Sequence, residues 1–151
     1  MINWVCKIFN ELTAWELYEI LQLRSEVFVV EQNCAYMDPD GKDPLSYHLT
    51  GWEDGKLVAY TRLIPAGVTY KEISIGRVVN SPLVRGRGIG KLLMEESIKQ
   101  ITELFGKQDI LIGAQLYLNK FYASLGFVNE GEIYLEDGIE HIHMRLKEED
   151  I

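Results

Sequence analysis

The chain has 151 residues, 47% of them apolar and 25% charged, a composition that fits one globular domain and excludes a disordered chain. A domain of this length buries roughly two-thirds of its unfolded surface and needs no disulfide or metal staple. Fifteen Lys and Arg against 23 Asp and Glu give a net charge of −8, which argues against nucleic acid as a partner and is compatible with a cationic substrate such as an amine. The longest apolar runs fall well short of the roughly 18 residues that cross a bilayer. Met1-Ile2-Asn3-Trp4 shows no basic segment followed by an apolar one, so no secretory signal is read and no membrane partner is expected. Cys6 and Cys34 are too few for a disulfide framework or a zinc set. A soluble, cytoplasmic protein is the expectation.

No repeat or Pro/Ser-rich linker divides the chain, so residues 1–151 are read as a single domain. Residues 4–10 alternate loosely, as a first strand does. Thr13 stands three residues before Glu16, a capping box that opens a helix with Trp15, Tyr18, Leu21 and Leu23 on its apolar side. That pattern runs untidily into Val27–Val30. Asp38-Pro39-Asp40-Gly41 and Asp43-Pro44 mark 33–46 as a loop. Residues 47–53 and 57–64 flank Asp54-Gly55, a strong hairpin signal, and a further strand covers about 72–80.

Ile89 to Phe105 is the clearest helix. Ile89, Leu92, Leu93, Ile98, Ile101, Leu104 and Phe105 form its buried stripe, and Gly106 is its natural stop. The apolar run 110–114 reads as a central strand. A short helix at about 117–124 ends at Gly126, and strands at about 127–135 and 141–146 flank Asp137-Gly138. The order predicts an α/β (α+β) domain. Its central sheet is mixed and mostly antiparallel with helices on both faces, not doubly wound.

The most informative segment runs from Val78 to Gly90, where a strand enters a turn with glycines at 86, 88 and 90 and an amphipathic helix begins. Glycines permit positive φ and close backbone approach, and the free N–H groups of a helix start attract anions. With Arg85 and Arg87 beside them, this is a site for phosphate or pyrophosphate. A dinucleotide fingerprint fails, because the last glycine of G-x-G-x-x-G falls on Lys91. A P-loop fails too, since Arg85 and Leu92 stand where Gly and Ser/Thr are needed. Arg85-x-x-Gly88-x-Gly90 resembles the pyrophosphate-binding turn of the GNAT superfamily of acyl-CoA N-acyltransferases. Phe121-Tyr122-x-x-x-Gly126-Phe127 resembles that superfamily's later motif. Phe28-Val29-Val30-Glu31-Gln32, Ile75–Val79 and Glu136–Ile142 are most similar to its ElaA-type branch. The resemblance spans essentially the whole chain.

The resemblance implies an N-acetyltransferase that moves the acetyl group of acetyl-CoA to a primary amine by direct attack in a ternary complex, with no metal. The acceptor, a small molecule or a peptide or protein, is not identified. It implies that the backbone of Val78, Val79 and Asn80 pairs with the pantetheine arm of the cosubstrate. It further implies that the turn Arg85, Gly86, Arg87, Gly88, Ile89, Gly90 and Lys91 holds the pyrophosphate. Gln115 stands where the superfamily often has Asn, so Asn119 is a second candidate for that polar contact. Asn80 also departs from the usual apolar residue at its place. Tyr122 is expected as the general acid on the leaving thiolate, because a phenol of pKa about 10 is a usable acid for that sulfur. For the general base Glu31, Asp38, Asp43, His48, Glu140 and His141 are conceivable, with Glu31 and His141 placed to face a cleft. The fold is often dimeric, so a homodimer is compatible with the sequence.

Other signals carry less. His141 and His143 share one strand face at a spacing that could bind zinc, but no third ligand is near in sequence. Asp38–Asp43 lacks the glycine and glutamate of a calcium loop and reads as a turn lending negative charge to an amine pocket. A non-catalytic acyl-CoA-sensing module is the rival reading, and an RNA-binding protein is disfavoured by the charge.

Overall fold

The computed structural model describes Met1–Ile151. Four antiparallel strands come first: β1 (Asn3–Ile8), β2 (Tyr47–Glu53), β3 (Lys56–Ile64) and β4 (Ser74–Asn80), paired in the order β1-β2-β3-β4. Three more, β5 (Ile110–Gln115), β6 (Val128–Glu136) and β7 (Ile139–Leu146), pair in the order β5-β7-β6. One parallel bridge joins the two halves, Ile73 to Ile110, with the Leu111 N–H donating to the Ile73 carbonyl at 3.0 Å. The helices are α1 (Ala14–Arg24), α2 (Ile89–Phe105) and α3 (Asn119–Ser124). No helix is long and apolar enough to cross a membrane.

Local chemistry accounts for most boundaries. Thr13 Oγ1 accepts from the Glu16 N–H while Glu16 bonds back to the Thr13 N–H, so α1 starts on its capping box. Asp54 and Gly55 both take positive φ, 51° and 75°, the two-residue turn that matches strand twist between β2 and β3. The Gly106 N–H closes α2 on the Thr102 carbonyl at 2.9 Å. Successive β4 residues face opposite layers. Val79 is buried with Ile20, Leu23, Val27 and Tyr60 under α1, whereas Val78 packs against the larger cluster containing Leu93, Met94 and Ile101 of α2. That alternation is why helices cover both faces.

Four details correct the sequence reading. β1 ends at Ile8, and residues 9–11 form a 3-10 turn. The buried side of α1 is Ile20, Leu23 and Arg24, while Trp15 and Tyr18 lie on the surface, stacked on each other with centroids 6.2 Å apart. The untidy stretch after α1 is π-helical over Ser25–Glu31, so its register drifts from the 3.6-residue period. In α2 the stripe turns on Leu93, Met94, Ser97 and Ile101, leaving Leu92 and Leu104 half-exposed. Each buried aliphatic there contributes about 1.5–3 kcal/mol.

Candidate active site

Beyond the Ile73–Ile110 bridge, β4 and β5 part. Val79 and Asn80 pair only with β3, through Tyr60 and Ala59, and Ile112 to Gln115 pair only with β7. Their facing edges therefore carry backbone N–H and C=O groups without strand partners. A cleft of about 900 Å³ opens between them, lined by Val78, Val79, Asn80, Ile112, Gly113 and Gln115 and roofed by Phe121 and Tyr122.

At one end of this cleft the chain makes its glycine turn. Gly86 and Gly88 have φ of 80° and 73°, and a Cβ on either would meet no atom within 4 Å, so conformation and not crowding requires glycine there. Gly90 differs: a Cβ would come 3.3 Å from Asn80 Nδ2 and 3.5 Å from Phe121 Cζ, so its absence preserves a narrow channel beside β4. Gly88 caps α2 without a side-chain bond, which leaves the first-turn N–H groups free for an anion. Ile89 buries its side chain in the core. Lys91 is exposed on the next helical position and does not line the cleft.

Ion pairs engage both arginines of the turn. Arg85 lines the cleft and makes a two-pronged pair with Glu31, at 2.8 Å through Nη1, and this pairing holds the Glu31 carboxyl below its usual range. Arg87 points away, toward β1, and pairs with Glu53 at 2.8 Å. Gln115 faces the cleft and exchanges side-chain contacts of 3.4 Å with Gln32. Asn119, its alternative, lies outside the cleft lining with its amide on Asn129 of β6.

Tyr122 is 5% exposed, wedged edge-to-face between Phe121 and Phe127, yet it lines the cleft. Burial pushes its pKa well up, so the phenol stays protonated. His141 lines the cleft and is 6% exposed. Its Nδ1 lies 2.7 Å from the Ile139 carbonyl, which can only accept, so Nδ1–H donates there, and Nε2 stands 3.5 Å from the Glu136 carboxylate. His143 is stacked on Tyr134 at 4.6 Å with Tyr70 edge-on at 5.4 Å. The Tyr70 and Tyr134 hydroxyls converge over Gly113, where a Cβ would fall 2.9 and 2.6 Å from them.

The opposite wall was not foreseen. Arg24, Arg62 and Arg77 meet Asp38, Asp40 and Asp43: Arg24 bonds Asp38 at 2.7 Å and Asp43 at 2.8 Å, and Arg62 bonds Asp40 and Asp43 at 2.8 and 2.9 Å. Arg77 pairs with Asp38 at 2.8 Å. The aspartate turn is thus a buried latch on three arginines and not a free negative patch. Burial opposes the Asp40 and Asp43 charges, but the arginines outweigh it and hold both carboxyls below their usual range. His48 is fully buried, its Nε2–H donating to the Asp43 carbonyl at 2.9 Å while Nδ1 accepts from the Tyr60 hydroxyl at 2.6 Å. Asp38, Asp43 and His48 therefore serve the framework. Arg24 within the stripe Ile20, Leu23, Arg24, Val27 was the signal that could have disclosed this.

Residues 24–148 match the acetyltransferase (GNAT) domain. The chain is 42% identical to the ElaA protein of Escherichia coli over 146 residues, 95% of each chain. The chain belongs to the GNAT acetyltransferase family. Its structure superposes with a TM-score of 0.91 on an acyl-CoA N-acyltransferase from Pseudomonas aeruginosa that is 44% identical, covering 96% of this chain and 99% of that protein. An aminoglycoside 6′-N-acetyltransferase complexed with coenzyme A shares the fold at a TM-score of 0.71 and 16% identity, covering 95% and 97% of the two chains. The mixed, mostly antiparallel sheet is that of this GNAT fold, and the ElaA-like resemblance read from the three short segments holds over nearly the full length.

Proposed function

We propose that the protein is an acetyl-CoA-dependent N-acetyltransferase acting in the cytoplasm on a primary amine. The observation that carries this reading is the splayed pair of strand edges ending at a glycine turn with free helix N–H groups. The coenzyme A held by the aminoglycoside acetyltransferase of the same fold supports it. The free backbone groups of Val78, Val79 and Asn80 match the amides of a pantetheine arm. The turn Arg85–Lys91 offers main-chain donors to a pyrophosphate, with Arg85 joining once it leaves Glu31.

Acetyl-CoA supplies the acetyl group as a thioester. The amine nitrogen bonds to the acetyl carbon as the carbon–sulfur bond breaks, giving an amide and the CoA thiol. His141 is the better base than Glu31, because it lines the cleft with Nδ1–H held by a backbone carbonyl, which leaves Nε2 as the nitrogen that can take up a proton, while the Glu31 oxygens are committed to Arg85. It removes the proton of the ammonium. Tyr122 donates a proton to the departing sulfur, and the second proton that the nitrogen sheds on becoming an amide returns to its oxygen, since burial disfavours a lasting phenolate there.

The test is thiol release from acetyl-CoA across an amine panel, with Tyr122→Phe beside the wild type. We expect the variant to lose about 10²- to 10⁴-fold in kcat with the KM for acetyl-CoA nearly unchanged. Tight acetyl-CoA binding with no thiol release for any amine would favour the sensing module instead.

A further inference from the structure

We propose that the acceptor amine also carries a carboxylate, and that Arg62 seats it at the far end of the cleft; this rests on the acetyltransferase reading. Arg62 is 2% exposed and lines the cleft. Its two terminal nitrogens are spent on Asp40 and Asp43, but its Nε–H has no partner. A buried guanidinium N–H without an acceptor is costly unless something fills the place. Thr69 presents a second such group, its Oγ1 buried, unpartnered and on the same cleft. Lys42 adds a positive charge to that end.

The backbone keeps this place open. Arg62 stands opposite Gly76 in the β3–β4 pairing, and a Cβ on Gly76 would come within 4.0 Å of both Nε and Nη2. The φ of Gly76 is ordinary, so glycine is not needed there for conformation. What it provides is access to the guanidinium. Gly76 precedes Asn80 by four residues, about 13 Å along the strand. The Arg62 seat and the glycine turn are therefore separate places in one cleft.

The charges divide in a way that suits a zwitterion. The three arginines and three aspartates of the latch cancel, so the added acceptor meets the unpaired Nε–H, Thr69 and Lys42 as net donors and net positive charge. Glu136 and Asp137 line the cleft beside His141, where an ammonium would be held before it loses its proton. An amine group toward His141 and a carboxylate toward Arg62 describe an amino-acid-like acceptor. The chain's overall charge of −8 pointed only to the amine end of such a molecule.

The experiment compares the common α- and ω-amino acids with their methyl esters. It measures binding to the protein–CoA complex by calorimetry and transfer by thiol release from acetyl-CoA. A hydrogen-bonded charge of this kind is worth roughly 10- to 100-fold, so for at least one amino acid the free acid should exceed its ester by that factor in affinity or kcat/KM. Gly76→Ala should erase the preference while leaving acetyl-CoA affinity and the activity on the ester unchanged. Its only close neighbour, the flexible Ile64 Cδ1 at 3.2 Å, can shift, so the fold should survive. Thr69→Val should weaken the preference in part, by an independent route. Esters or plain alkylamines used as well as the acids, or no acid bound at all by a protein that binds CoA, would overturn the carboxylate seat alone. A protein that fails to bind CoA would instead overturn the reading on which it rests.

Discussion

The two walls of the cleft hold arginines in opposite ways. On the latch side Arg24 and Arg62 are buried, Arg24 bonded to the buried Asp38 and Asp43 and Arg62 to Asp43 and the more exposed Asp40. At the turn Arg85, which lines the cleft, and Arg87, which points away from it, are about half exposed and each pairs with one glutamate. Ion pairs in water exchange at little cost, whereas removing one partner of a buried pair strands the other. The latch is thus framework, whereas at the turn Arg85 can exchange its carboxylate for the phosphate of the proposed cosubstrate.

The largest expected effect breaks the latch. Arg24→Ala removes the fully buried cation that joins Asp38 to Asp43, leaving them only Arg77 and Arg62, and should cost about 3–5 kcal/mol in urea denaturation. Arg85→Ala should change stability by less than about 1 kcal/mol. Equal losses would erase the distinction between the walls.

A second effect is read in pH. Burial lowers the pKa of His48, and its Nε2–H and Nδ1 are both engaged, so the native state keeps this imidazole neutral. Below the ordinary histidine pKa of about 6.5 the unfolded chain binds the proton first, and stability should fall as pH drops from about 6.5 to 5. His48→Gln should flatten that slope. A wild-type stability unchanged over the same range would place the charge of His48 in the native state.

The smallest effect sharpens the turn wall. Glu31→Gln frees Arg85 and removes a negative charge beside the phosphate site, so acetyl-CoA affinity should rise by about two- to fivefold. The kcat should hold if the base is His141, as proposed, and Glu31 only a partner of Arg85. A collapse of kcat with affinity unchanged would transfer the base role from His141 to Glu31.

The same contrast explains what the sequence disclosed. The turn is local: Arg85, Gly88 and Gly90 stand within six residues and lead into a helix whose bounds, Ile89 and Phe105, follow from its periodicity and Gly106. The Thr13–Glu16 box and the Asp54-Gly55 turn are equally short-range, and each appears where it was read. The latch is assembled from α1, β3, β4 and a loop, with partners 14 to 39 residues apart, and no local pattern joins them. The partners of Arg24 lie far away in sequence, so nothing local marks it as a buried residue, and the apolar side of α1 reads onto Trp15 and Tyr18. The seat at Arg62 lay deeper still, since a free Nε–H is known only once every other nitrogen of that guanidinium has been given a partner.

Calorimetric titration of acetyl-CoA into the wild type and Gly88→Val tests the central claim most directly. Gly88 holds a φ of 73° that a β-branched residue resists, and the space about it is open to a ligand. The wild type should bind one acetyl-CoA per chain, with the affinity of Gly88→Val at least about tenfold weaker and its circular dichroism unchanged. Equal affinities in the two proteins would contradict the account, because the pyrophosphate would then be held somewhere other than at the glycine turn.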